Sequence, residues 1–206
     1  SSSEVYQTPP SVPTDESAPL SIPDINNPRY SYGGGKILSE LMTMNYGRKH
    51  FERAVIFRPH NVYGPDMGGE HVLPEFILRM RDLKDDPNDR IKFPIQGTGS
   101  DTRAFVFVDD FIDGLMLVID KGEHLGIYHI GTNEEIAISD AAIEVGRYFN
   151  REIEIIPGPP APGGTPRRCP DISKLTALGY ESKVPFQQGV PVIAKWYDEN
   201  ANMFSE

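Results

Sequence analysis

Apolar runs of strand length alternate with helix-length runs through most of this chain, and that alternation limits its fold more than any other feature. Residues 53–58, Arg-Ala-Val-Ile-Phe-Arg, read as a buried strand. A helix of about ten residues opens at Pro74, where proline suits a first helical turn, with Phe76, Ile77 and Met80 on its apolar side. Residues 91–95 make a short strand, and Gly97-Thr98-Gly99-Ser100 reads as a hairpin-like turn into a strand over 104–108. A helix running to about Asp120 follows, with Asp109 and Asp110 as capping carboxylates at its positive end. A strand over 127–130, a helix capped by Ser139-Asp140 and a strand over 152–156 continue the pattern. Residues 157–170 form a proline- and glycine-rich loop, a short helix then stops at Gly179, and Pro191 opens the last helix. The chain reads as α/β.

The strand over 53–58 leaves through Pro59-His60-Asn61-Val62-Tyr63-Gly64-Pro65, polar and rich in turn formers. Ligands collect at the C-terminal ends of parallel strands, so this exit is a candidate binding edge. At the other end of the chain, Glu4-Val5-Tyr6 reads as the close of a strand. Residues 7–30 carry prolines at 9, 10, 13, 19, 23 and 28 and read as an irregular loop. A loop that long suits a functional role or a cover over a cleft better than a simple connection.

From Tyr32 to about Arg48 the pattern turns helical, with Ile37, Leu41 and Met44 on one stripe and Leu38 and Met42 beside it. Tyr32 and Lys36 stand four positions apart and so share a helix face. An ammonium beside a phenol stabilises the phenolate, which suits general acid/base chemistry on a hydroxyl. The three glycines between them each cost a helix about 1 kcal/mol relative to alanine, so either the loop ends there or something approaches closely.

A formal charge of −10 argues against nucleic acid and anionic membranes as partners. It also means that any phosphate ligand must be gripped by arginines that converge locally. The single cysteine, Cys169, permits no internal disulfide and fits a reducing, cytoplasmic setting. The five histidines show no metal-ligand spacing, so no metal site is expected. Gly97-Thr98-Gly99 has Thr102 where a dinucleotide fingerprint needs a third glycine, so it reads as a tight turn.

Five segments in order resemble the extended short-chain dehydrogenase/reductase family, in its branch of nucleotide-sugar epimerases, dehydratases and decarboxylases. Ser2-Ser3-Glu4-Val5-Tyr6 is similar to the strand end that carries the catalytic hydroxyl, placing it at Ser2. Tyr32 and Lys36 match the Tyr-x-x-x-Lys pair, and residues 58–65 resemble Arg-x-x-Asn-x-Tyr-Gly-Pro. Gly97-x-Gly99-x-x-x-Arg103, followed by Val108-Asp109-Asp110, resembles the segment whose arginine grips a diphosphate. Arg168-x-Pro170-Asp171 with Leu178-Gly179-Tyr180 is similar to the C-terminal arginine motif. The chain departs from the pattern at Gly35, where serine is usual, and at Gln7, where glycine often stands. The family's glycine-rich dinucleotide turn has no counterpart here, so the chain looks like the C-terminal two thirds of a longer protein.

The resemblance implies the C-terminal part of a Rossmann-like doubly wound parallel sheet plus a smaller α/β substrate-binding domain. Residues 1–65, with an exchanged strand and helix near 100–135, would belong to the first, and 66–206 mainly to the second. It implies NAD as cofactor, a nucleotide-diphosphate sugar as substrate and a homodimer. Tyr32, Lys36, Ser2 and Glu4 would be catalytic; Tyr32, Lys36 and Arg58 would bind cofactor; Asn61, Arg103 and Arg168 would bind substrate. The implied chemistry passes through a 4-keto sugar, epimerisation being favoured because it demands least beyond Tyr32, Lys36 and Ser2. Decarboxylation or 4,6-dehydration is the alternative, and a non-catalytic nucleotide-sugar-binding fragment is the alternative of another class.

Overall fold

The computed structural model describes residues 1–160 and 164–204, so part of the proline- and glycine-rich loop (161–163) lies outside the described residues. In chain order the elements are α1 (Ser31–His50), β1 (Ile56–Pro59), β2 (Val62–Tyr63), α2 (Val72–Leu83), β3 (Arg90–Ile95), β4 (Thr102–Ala104) and β5 (Val106–Phe107). They continue with α3 (Val108–Lys121), β6 (Ile127–Ile130), β7 (Glu135–Ala137), α4 (Ile138–Tyr148), β8 (Glu152–Pro157), β9 (Arg167–Arg168), α5 (Ser173–Ala177) and α6 (Phe186–Glu199). The α/β reading holds.

Most strand pairs are parallel: β1 with β6, β2 with β5, β3 with β8, and β4 with β9. Among the described residues, only β4 with β7 runs antiparallel. The turn after β3 is therefore no hairpin, because β3 takes β8 as its partner and β4 lies between β7 and β9. Strict alternation along β3 explains the choice: Ile91, Phe93 and Ile95 are buried between exposed neighbours, and they need the helices packed beneath β3 and β8. Phe76, Ile77 and Met80 of α2, Val145 of α4 and Ile193 of α6 close that core. A second cluster joins Val118, Tyr128 and Ile130 to Ile172, Leu175 and Tyr180.

Several local expectations are corrected. Residues 3–6 form a 3₁₀ turn rather than a strand end, capped by Ser2, whose Oγ accepts from Glu4 N at 3.2 Å. Asp110 does not cap α3 but accepts from Ser182 Oγ and the amides of Lys183 and Val184, at 2.9 to 3.0 Å. Ser139 and Asp140 sit inside α4, whose N-cap is Ala137. Pro191 lies within α6, which starts at Phe186. Only part of the apolar stripe of α1 packs, since Ile37 and Met44 are half-buried while Leu41 is exposed. Leu38, Leu41 and Met42 are each more than half exposed, and the buried positions are Gly33, Glu40 and Gly47. Those three are seven apart, which is about two helical turns, so α1 packs along a line of small residues and one carboxylate.

Candidate active site

Glycine 33 decides how α1 meets the N-terminal segment. A Cβ there would stand 2.8 Å from the carbonyl oxygen of Glu4 and 2.7 Å from Gln7 Nε2, so only glycine lets the helix start lie against residues 4–7. The close approach expected at the glycines is thus a backbone contact. Gln7 itself adopts φ 53°, a left-handed conformation that glycine would hold more easily. This contact sets Ser2 and Glu4 beside the turn that carries Tyr32 and Lys36. Tyr32 is exposed, and Lys36 Nζ lies over its ring, 5.3 Å from the centroid.

The two arginines expected to grip a diphosphate are brought together. Arg103 on β4 and Arg168 on β9 are direct partners across the parallel ladder. Burial, and then the Arg168 charge, push the Arg103 pKa below its ordinary value. Arg103 donates to the carbonyl of Thr102 at 2.7 Å, with Asp101 4.0 Å away. Arg168 pairs with Glu4 and donates to Thr165 Oγ1 at 3.2 Å, while its buried Nε has no partner. Two neighbouring guanidiniums, Arg168 paired with Glu4 and Arg103 with Asp101 at the edge of ion-pair distance, form a candidate anion-binding corner. The Glu4–Arg168 pair also ties this corner to the Ser2 segment.

Asn61 stands at the exit of β1 with φ 40°. Its carbonyl accepts from Val106 N at 3.2 Å, and its amide donates to Ala104 O at 3.4 Å, next to Arg103. The candidate binding edge therefore adjoins the arginine corner.

Arg58 is different. It is 2% exposed, and all three of its nitrogens are engaged: Nε and Nη2 with Glu40 at 2.8 and 2.6 Å, Nη1 with Tyr6 and with the carbonyl of Glu16. These contacts leave it inward-facing and make it part of an internal ion pair. Burial works against its charge, but Glu40 and Tyr6 outweigh that and raise its pKa. Burial likewise opposes the Glu40 carboxylate, yet Arg58 and Ser1 hold its pKa below the usual range.

The buried polar layer under the site was missed from sequence. Glu40, Tyr6, His129 and His60 belong to it. Two signals were available: Glu40 follows Lys36 by four on the same helix face, and His129 interrupts an apolar strand. Tyr6 is pushed up to about 12, chiefly by burial. Burial also lowers His129, and lowers His60 well below its ordinary value. Both ring nitrogens of His60 are buried without a partner.

The NAD dependent epimerase/dehydratase family matches residues 1–131. The probable GDP-L-fucose synthase 1 of Oryza sativa subsp. japonica is 31% identical over 173 residues, covering 82% of this chain and 52% of that protein. The dTDP-D-glucose 4,6-dehydratase of Homo sapiens is 31% identical over 207 residues, covering 97% of this chain and 55% of that one. Among solved structures, DesIV, a dTDP-glucose 4,6-dehydratase from Streptomyces venezuelae with NAD and TYD bound, superposes with TM-score 0.80 at 27% identity. That match covers 97% of this chain and 59% of DesIV.

The fold and the site define a Rossmann-type α/β protein with a Tyr-x-x-x-Lys pair beside an arginine corner. The chain belongs to the NAD dependent epimerase/dehydratase family. It spans about half the length of the two curated relatives described above.

Proposed function

We propose that this chain carries the proton-transfer and substrate-binding part of an NAD-dependent enzyme that modifies a nucleotide-diphosphate sugar through a 4-keto intermediate. One observation carries the reading. Gly33 wedges the Tyr32–Lys36 turn against Ser2-Glu4, and Glu4 joins that segment to the Arg168–Arg103 corner. Proton chemistry and anion capture thus share one edge. The open face of Tyr32 and Lys36 fits the reactive end of a dinucleotide, whereas inward-facing Arg58 does not. NAD, when bound, supplies hydride uptake and return. Tyr32 takes the proton of the sugar hydroxyl, with the Lys36 ammonium beside its ring and Ser2 on the hydrogen-bond path. Arg103, Arg168 and Asn61 hold the diphosphate, and that remote binding energy fixes the reacting carbon.

Epimerisation is the reading we favour. Ser3 fills the position where a dehydratase of this branch would carry aspartate. Glu4 is held in its pair with Arg168, so neither residue offers a free carboxylate. Dehydration is the second reading, supported by the similarity to two dTDP-glucose 4,6-dehydratases. We assign residues 1–65, with α3 and β6, to the first part and 66–206 mainly to the second; the separate cluster of Val118, Tyr128 and Ile130 supports the return of α3 and β6, while Tyr63 packs in the larger core and Leu175 of α5 in the smaller one. The single cysteine supports a cytoplasmic setting.

The test incubates the full natural chain containing these residues with NAD and, separately, UDP-glucose, UDP-glucuronate, GDP-mannose and dTDP-glucose. NMR then reads the products. A C4 epimer supports the favoured reading, a 4-keto-6-deoxy sugar supports the second, and no product from any of them overturns both.

A further inference from the structure

Three walls of the site meet at a hydroxyl that none of the proposed steps uses. Tyr6 is 3% exposed, and its oxygen lies 2.6 Å from His129 Nε2. Nδ1 of that imidazole lies 3.0 Å from the carbonyl oxygen of Asp171. A carbonyl only accepts, so Nδ1 carries the proton and Tyr6 donates to Nε2. On its other side Tyr6 accepts from Arg58 Nη1, and Arg58 grips Glu40 with Nε and Nη2. Glu40 lies one turn beyond Lys36 and two beyond Tyr32, on the same face of α1.

The donors therefore run without a break between two distant pieces of the site. At one end is Asp171, three residues after Arg168. At the other is the helix of the Tyr32–Lys36 pair, and Tyr6 itself closes the 3₁₀ turn that holds Ser2 and Glu4. Thr14 straps the Asp171 end in place: its amide donates to Cys169 O at 2.9 Å, and its carbonyl accepts from Asp171 N at 2.7 Å. Burial keeps Tyr6 protonated and His129 neutral, so the donor order is fixed through neutral pH. The Glu4–Arg168 pair makes a second link from the arginine corner, and it reaches α1 through the packing of Gly33 on the Glu4 carbonyl rather than through the buried hydroxyl. Buried, fully donated networks polarise one another and act as units, and a contiguous chain of this kind can couple two sites.

We propose that Tyr6 is a positioning residue whose hydroxyl couples anion capture at Arg168 to the placement of Tyr32 and Lys36 on α1. The inference rests on the nucleotide-sugar reading, since the captured anion is that substrate's diphosphate.

The test uses the full natural chain, as wild type and as Tyr6→Phe, which keeps the ring packing and removes the junction. UDP, dTDP and GDP are the probes, and hydrogen exchange over residues 34–44 is the readout. In the wild type, a bound diphosphate slows exchange of these amides about fivefold, and in Tyr6→Phe it binds with little change in affinity but leaves them unprotected. At saturating nucleotide sugar, kcat of the variant falls about tenfold while KM stays within about twofold. Equal protection in wild type and variant overturns the coupling and leaves the functional reading standing. Failure of the wild type to bind any of the three diphosphates overturns both. Should Tyr6→Phe not fold, His129→Gln, which still accepts from Tyr6 but breaks the link to Asp171, is expected to lose the protection in the same way. If neither variant folds, the network is structural and the coupling is overturned.

Discussion

Tyr32 holds its hydroxyl on an exposed turn, while the residues that fix that turn, Gly33, Glu40 and Arg58, are buried beneath it. Removing the hydroxyl therefore touches chemistry without touching packing. Tyr32→Phe is expected to lower turnover by about 10³-fold, the range for a lost general acid/base. Binding of the nucleotide sugar, which the proposed function assigns to Arg103 and Arg168, is expected to stay nearly unchanged in calorimetry. A loss of binding equal to the loss of turnover would make Tyr32 a structural residue. The buried imidazoles give a second prediction at this scale. His60 faces His129, Arg168 and Arg58; His129 faces Tyr6, Glu16, Asp15, Arg58 and the Asp171 carbonyl. Both pKa values are depressed in the fold, mainly by burial, so the unfolded chain binds more protons once pH drops below about 6.5. The stability they contribute is complete above that value and is lost as pH falls. Melting temperature followed by circular dichroism from pH 7.5 to 5 should decline, and His60→Phe should flatten the decline. A flat profile for the wild type would contradict the neutral buried pair.

At the scale of the element, the three glycines at the start of α1 have different jobs, and substitution separates them. Alanine gains about 1 kcal/mol of helix propensity over glycine at any exposed helical position. At Gly35 nothing lies within 4 Å of a new Cβ, so Gly35→Ala should stabilise by about 0.5–1 kcal/mol in urea unfolding. At Gly33 the new carbon would meet the Glu4 carbonyl at 2.8 Å, a backbone atom that cannot swing away. Overpacking of that kind costs about 1–3 kcal/mol and exceeds the propensity gain. Gly33→Ala should destabilise, and equal effects at the two positions would remove the wedge from the account of the site. This contrast also shows what the sequence could and could not say. The glycine run left a close approach and a loop end both open, Tyr32 and Lys36 stood out by their spacing, and Arg103 and Arg168, singled out by the resemblance, meet across the β4–β9 ladder. Which glycine is the wedge was not readable, because that depends on Glu4, nearly thirty residues away. Apolar periodicity set the packing face of α1 only in part, since small residues and Glu40 bury better there than leucines. The short strands β7 and β9 were missed because two or three residues carry no periodicity, and only their pairing with β4 defines them.

For the whole molecule, one apolar face of α1 points outward. Leu38, Leu41, Met42 and Tyr46 are 59, 56, 52 and 54% exposed, at a spacing that keeps them on one face. On α3, Ile112, Met116 and Ile119 are 46, 57 and 51% exposed, again on one face. The two helices lead into adjacent parallel strands, β1 and β6. Two ordered apolar stripes are rarely left facing water without a partner for them. A formal charge of −10 also keeps copies of such a chain apart unless a specific apolar face draws them together. A second copy is the partner we infer, because a two-fold axis sets one helix face against its own equivalent and needs no other complementary surface. Light scattering of the full natural chain at micromolar concentration should give twice the chain mass. Leu41→Glu combined with Met116→Glu should give the chain mass, because each would bury a charge at the axis-related contact. The melting temperature of the separated monomer should fall with the lost interface, while its circular dichroism spectrum stays that of the folded chain. A wild type that is monomeric under these conditions would assign the stripes to some other part of the natural protein and end the dimer inference.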